Sequence, residues 1–122
     1  QTVEIRSPDG SANVHQLIAG LTVAARHGLT MPDALGIAEK LHIVQEASRR
    51  SDLEQLPASC AEAADALEKQ RALFEAEGVF PPMMLDKLTQ ELRAHEDRDM
   101  SEKLFGNADA LKDLVTRYIH VG

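Results

Sequence analysis

The sequence predicts a mainly α protein, in which one short strand precedes a helical body. Aromatic residues make up only 3% of the 122 residues, so the core must be built from Leu, Ala, Ile, Val and Met. This composition favours helices over sheets. Apolar residues recur at helical spacing along most of the chain, with capping signals at the boundaries. The length suits a single domain, with residues 1–10 forming a strand and turn and residues 11–122 forming about five helices.

The strand is predicted at Thr2–Arg6, where Val3 and Ile5 alternate with polar neighbours at the period of a half-buried strand. Pro8–Gly10 is a turn signal that ends it. A strand needs a neighbour for its backbone groups, and no later segment shows a matching alternation. Because its partner strands are missing and the chain begins at Gln1 without a methionine, we expect this chain to be a fragment of a larger protein.

Two helices are predicted before the middle of the chain. Ser11 or Asn13 can cap the first, whose apolar residues continue to Gly28, where a left-handed C-cap belongs. Pro32 starts the second helix, which fades near Gln45.

Three further helices are predicted after a polar connection over residues 46–55, which is the segment expected to be most mobile. The strongest boundary signal is the pair Ser59 and Glu62, which has the spacing of a capping box. The three helices run from this box to Gly78, from Pro82 to the charged cluster at residues 95–99, and from Asn107 towards the C-terminus.

Charge and composition exclude several classes of function. The formal net charge is −7 and the pI is about 5.1, so that a phosphate-neutralising surface for nucleic acid is not expected. The single cysteine, Cys60, can form neither an intrachain disulfide nor a thiolate metal cage. No apolar run reaches the ~18 residues of a membrane span, and no signal peptide is visible. We therefore expect a cytoplasmic protein that binds neither membrane nor nucleic acid.

The chemistry-bearing residues of the chain lie at its start. Glu4 and Arg6, two positions apart on a strand, project from the same face. A carboxylate is a hard oxygen ligand suited to Mg²⁺ or Mn²⁺, and a guanidinium fork can hold a phosphoryl or carboxylate group. On spacing alone, such a pair is more often a solvated charge pair on a sheet surface.

A family resemblance favours the catalytic interpretation. The string from Glu4 to Asn13, followed by an Ala- and Leu-rich helix, resembles the late active-site motif of glutamine synthetases, Glu-x-Arg-x-Pro-Asp, two residues, and Ala-Asn-Pro-Tyr. The resemblance extends to about Leu92, because later segments match further family landmarks in order. These segments are Leu56-Pro57-Ala58-Ser59, Glu62-Ala63, Ala66-Leu67-Glu68 and Gly78-Val79-Phe80.

The resemblance implies a reaction and a role for each residue. Glu4 matches the glutamate that binds a divalent metal, Mg²⁺ or Mn²⁺, at the terminal phosphate of ATP. Arg6 matches the catalytic arginine that contacts the glutamate substrate and the γ-glutamyl phosphate. The implied reaction is the ATP-dependent ligation of ammonia to glutamate, in a cytoplasmic, bacterial type I-like enzyme that assembles as hexamers or dodecamers. As a fragment, the chain is expected to be inactive and to hold no cofactor of its own.

Departures from the family pattern leave some questions open. Val14-His15 replaces Pro-Tyr, and the tail at residues 100–122 differs from the common type I ending. Tyr118, the only tyrosine, is far from the usual adenylylation loop, so that form of regulation is not supported. The five histidines lack chelating spacing, and we expect them to lie at the surface or to have their ring nitrogens satisfied by hydrogen bonds. Three alternatives remain: a relative that ligates another amine such as a polyamine, a pseudoenzyme, and a non-catalytic helical interaction module.

Overall fold

The computed structural model describes residues 4–8, 10–42 and 54–119, and this part of the chain is mainly helical, as predicted. It contains seven α-helices, two more than expected, because one predicted helix is split and a short helix precedes the last one. In chain order they are α1 (Val14–Thr30), α2 (Ala34–Leu41), α3 (Cys60–Lys69), α4 (Arg71–Glu75), α5 (Pro82–Ala94), α6 (Met100–Leu104) and α7 (Ala108–Tyr118), with a 3-10 turn at Ala76–Gly78.

The predicted N-terminal strand is not formed in the described residues. Thr2 and Val3 lie outside them, and Glu4, Ile5 and Arg6 have no assigned secondary structure. A strand is defined by hydrogen bonds to a neighbouring strand, and no residue in the described ranges is in one.

Local capping chemistry fixes the starts of three helices. The Asn13 side chain caps α1, and the Asn107 side chain accepts a hydrogen bond from the Ala110 N–H at the start of α7 (3.1 Å). At α3 the Glu62 N–H donates to Ser59 Oγ (3.1 Å), while Glu62 Oε2 accepts from the Ala58 N–H (2.8 Å). The capping box is therefore present, with its return bond made one residue before the N-cap.

The prediction that Gly28 ends the first helix is wrong. Gly28 lies inside α1, which continues to Thr30 and is followed by extended backbone at Met31 (φ −69°, ψ 151°). The stop comes from Pro32, because the ring of a proline disfavours helical backbone in the residue before it.

The helix predicted from the capping box to Gly78 is interrupted at Gln70, whose backbone (φ −103°, ψ 11°) is not helical. The bend redirects the chain, so that α3 packs along α5 whereas α4 packs against α1. Glu77 and Gly78 then adopt left-handed backbone conformations (φ 61° and 68°). The polar connection predicted at residues 46–55 lies outside the described residues for 46–53.

The core forms where α1, α4 and α5 meet. Leu85 is 1% exposed and packs with Val23 and Phe80. The rings of Phe74 and Phe80 meet edge to face, with centroids 5.7 Å apart, a favoured aromatic geometry.

The pair α3 and α5 is antiparallel, because the start of α3 contacts the loop after α5. Ala64 on α3 is fully buried, and its small side chain permits close approach of the two helices. On α5 the buried Thr89 hydroxyl donates to the carbonyls of Leu85 and Asp86 (3.0 Å each). None of the helices in the described part is both long and apolar enough to cross a bilayer.

Candidate functional site

The structure brings Glu4 and Arg6 together, as their spacing predicts. Arg6 Nε donates to Glu4 Oε1 at 2.7 Å. Both side chains are open to solvent, with 70% of the Glu4 side chain and 83% of the Arg6 side chain exposed. The contact is local, because only one residue separates the two in sequence, and it forms although Glu4, Ile5 and Arg6 have no assigned secondary structure.

The pair is joined to the helical body through a bend and a cap. Ser7 and Pro8 form a bend, Gly10 and Ser11 a turn, and Asn13 then begins α1. The backbone N–H groups of His15 and Gln16 donate to Asn13 Oδ1 (3.1 and 3.2 Å). Two of the N–H groups that a helix start leaves without an internal partner are thereby satisfied.

His15, which stands where the family pattern has tyrosine, is exposed. An imidazole in this position is solvated by water, so the change from an aromatic phenol requires no polar partner inside the described body.

Glu4 is the sequence-predicted cation ligand, and in the structure it is a single exposed carboxylate. In residues 4–8, 10–42 and 54–119, no three His, Cys, Asp or Glu side chains come close enough together to hold a metal ion. Mg²⁺ commonly uses only one or two protein carboxylates and completes its shell with water and substrate phosphates. Glu4 therefore fits a divalent cation as one ligand of a set that other groups must complete.

A second group of charges lies at the start of α3, and the sequence pattern does not reveal it. The N–H groups of Cys60 and Ala61 donate to the two carboxylate oxygens of Asp97 (2.6 and 3.1 Å). These bonds, that from Cys60 foremost, hold the pKa of Asp97 below its ordinary value. The positive end of α3 is thus occupied by a carboxylate from the loop after α5.

The same loop and the last turn of α5 contact α3 through an ion-pair network. Asp65 accepts hydrogen bonds from Arg98 (2.7 Å) and from Arg93 (3.2 Å). The pKa of Asp65 is lowered, mainly by the bond from Arg98. On the opposite end of the helix pair, Arg71 donates to Glu75 Oε1 (2.6 Å) and pairs with Asp86 (2.7 Å). These ion pairs lie at the contacts between α3, α4 and α5, and they give no indication of substrate binding.

A comparison with protein families gives one assignment. The family model described as glutamine synthetase, catalytic domain, matches residues 1–105, which include Glu4, Arg6 and the whole of α1 to α6. Comparisons with curated proteins and with solved structures gave no match. The family match excludes the alternative of a helical module without enzymatic ancestry. The chain belongs to the glutamine synthetase family and carries part of its catalytic domain.

Proposed function

We propose that the chain contributes Glu4 and Arg6 to the active site of an enzyme that ligates ammonia to glutamate with ATP, giving glutamine. The observation that carries the proposal is the Glu4–Arg6 pair, 2.7 Å apart, in the region that matches the catalytic domain. ATP-dependent ligation requires a cation ligand and a group that binds the transferred phosphoryl, and the two side chains are of these types.

Glu4 is proposed as a ligand of Mg²⁺ or Mn²⁺. Its carboxylate offers about four lone-pair sites, of which the bond from Arg6 takes one, on Oε1. A divalent cation supplies charge neutralisation at the phosphate oxygens of ATP. Glu4 would hold that charge close to Arg6, so that both positive charges act on one phosphoryl group.

Arg6 is proposed to hold the glutamate substrate and the phosphoryl group of γ-glutamyl phosphate. Its bond to Glu4 uses Nε, which leaves the parallel donors on Nη1 and Nη2 in the geometry that an oxyanion accepts. A guanidinium fixed in this way stabilises the negative charge that develops during phosphoryl transfer and during attack by ammonia.

The two side chains need further groups around them before they can act. Electrostatic stabilisation of a transition state is strong only where water is excluded, and most of the surface of both side chains is exposed. We therefore propose that the 122-residue chain alone forms no glutamine. In this proposal it is the helical C-terminal part of a longer catalytic domain, which acts in the cytoplasm as a hexamer or dodecamer, binds neither membrane nor nucleic acid, and resembles the bacterial type I enzymes.

The amine substrate separates the proposal from its nearest alternative. A relative that ligates a polyamine would use the same carboxylate and guanidinium, since activation of glutamate is common to both reactions. The complete enzyme should be assayed for ATP-dependent product formation with ammonia, ethanolamine, putrescine and no amine. Turnover with ammonia supports the proposal, whereas turnover with putrescine alone refutes it, and no turnover with any amine favours a pseudoenzyme.

The roles of the two residues are tested separately in the same enzyme. Glu4→Ala should reduce metal-dependent turnover severely and leave folding nearly unchanged, because exposed ion pairs contribute little to stability. Arg6→Lys should also be costly, since an ammonium keeps the charge but not the fork. Wild-type turnover in either variant would remove that residue from the site.

A further inference from the structure

Asn13 is the residue through which the segment that carries Glu4 and Arg6 enters the helical body. Its Oδ1 accepts hydrogen bonds from the N–H groups of His15 and Gln16, and its carbonyl accepts the first helical bond, from the Leu17 N–H (2.9 Å). These three bonds fix the Asn13 backbone at φ −67° and ψ 107°. The direction from which the preceding segment enters α1 is therefore set at this residue.

The residues that precede Asn13 include some with restricted or defined backbone, so that the direction of the chain at Asn13 affects the position of Glu4 and Arg6. Pro8 has a restricted φ and is half-buried; Ser7 and Pro8 lie in a bend, and Gly10 and Ser11 lie in a turn. By contrast, Glu4 to Ser7 are exposed, so that within the described residues the link to α1 is what attaches them to the helical body.

A small rotation of the backbone at Asn13 would displace Arg6 by a larger distance. The two residues are seven positions apart, a distance of at most about 25 Å for an extended chain. A rotation of about 10° at Asn13 then moves Arg6 by up to about 4 Å at that limiting length. A displacement of even about 1 Å can reduce turnover about 100-fold, when it removes a group from its productive geometry.

We propose that Asn13 is a positioning residue for catalysis: its cap on α1 holds the Glu4–Arg6 pair in register with the rest of the active site. The proposal rests on the proposed function, because it concerns the same two side chains. It assigns to Asn13 no contact with substrate or cation.

A purely structural role is the competing explanation, and the chain offers a matched control for it. Asn107 caps α7 with the same side-chain atom, Oδ1, which accepts from the Ala110 N–H. Asn107→Ala therefore removes a side-chain cap of the same kind, with one accepted bond where Asn13 has two, from a helix start that carries neither Glu4 nor Arg6. Both alanine variants should lower the thermal unfolding midpoint by similar amounts.

The experiment compares four variants of the complete enzyme with wild type: Asn13→Ala, Asn13→Ser, Asn13→Asp and Asn107→Ala. Each is assayed for kcat and for KM of glutamate, well below its unfolding midpoint. Asn13→Ala should lower kcat at least tenfold and raise KM for glutamate, while Asn107→Ala stays within twofold of wild type. Serine and aspartate also accept hydrogen bonds at N-caps, so that both replacements at Asn13 should restore most of the activity.

Two results would overturn the proposal. One is an equal effect of Asn13→Ala and Asn107→Ala on kcat and KM. The other is low activity in Asn13→Ser and Asn13→Asp despite a wild-type unfolding midpoint, which would show that the amide itself is required. Arg6→Lys, measured alongside, distinguishes failure of the Asn13 proposal from failure of the proposed function. If Arg6→Lys is fully active, the catalytic role of Arg6 and the positioning role of Asn13 are both refuted. If Arg6→Lys is inactive, either of the two results above refutes only the positioning role of Asn13.

Discussion

Replacement of Asp97 by alanine should destabilise the chain by removing a helix cap that is supplied across 37 positions of sequence. The carboxylate accepts from the N–H groups of Cys60 and Ala61, at 2.6 and 3.1 Å. Hydrogen bonds to charged groups contribute about 1.5–3 kcal/mol, and loss of an N-cap costs about 0.5–2 kcal/mol. Because Asp97 is only half-buried and water can replace part of what is lost, we expect a decrease of about 1–2 kcal/mol in the free energy of unfolding.

Urea and thermal unfolding of the 122-residue chain, followed by circular dichroism at 222 nm, measure this loss. A decrease of this size should lower the thermal midpoint by about 4–8 °C. Asp113→Ala is the matched control, because it removes one carboxylate from an exposed position of α7 and should change stability by less than about 0.5 kcal/mol.

The pH dependence provides an independent check on the cap. The Cys60 N–H bond holds the pKa of Asp97 below its ordinary value of 3.8, so the stabilisation is fully present above that value. It is lost as the pH falls through the lower pKa of the folded protein. Wild type and Asp97→Ala should therefore differ at pH 7 and converge in acid. Equal stability of the two at pH 7, or an undiminished difference in acid, would refute the capping role of Asp97.

Two further predictions concern the packing of the described body. Leu85 is 1% exposed at the centre of the core, so Leu85→Ala should cost about 2–5 kcal/mol in urea unfolding; an unchanged midpoint would contradict its place in the core. The Asp65 carboxyl, which Arg98 and Arg93 hold at a lowered pKa, should titrate at higher pH in Arg98→Ala, as measured by carbon-13 NMR of its side chain. High salt should reduce the difference in Asp65 pKa between the two proteins, because the pair is exposed. Identical titration curves in wild type and Arg98→Ala would show that the Asp65–Arg98 ion pair does not form in solution.

The features that could be predicted from sequence are those that depend on near neighbours. Asn13, Ser59 and Asn107 cap helices because their acceptors reach N–H groups only two or three positions away. The contact between Glu4 and Arg6 is equally local, since only one residue separates them in sequence.

Features that depend on distant neighbours could not be predicted. The sequence around Asp97 does not indicate that its carboxylate caps α3, because the N–H groups that it accepts from lie 36 and 37 positions earlier in the chain. Gln70 carries no glycine or proline signal, yet the chain bends there because α3 and α4 pack against different helices. Gly28 lies within α1 and does not cap it, because glycine is tolerated inside a helix, and the helix ends before Pro32 instead.

The proposal that Glu4 binds a divalent cation in a glutamine synthetase site is tested most directly by measuring cation binding. Mn²⁺ should be titrated into the complete enzyme and into its Glu4→Gln variant, with free Mn²⁺ measured by electron paramagnetic resonance. Glutamine is nearly isosteric with glutamate but lacks its charge, so we expect one class of Mn²⁺ sites to weaken about tenfold or more. Identical Mn²⁺ binding by the two proteins would contradict it.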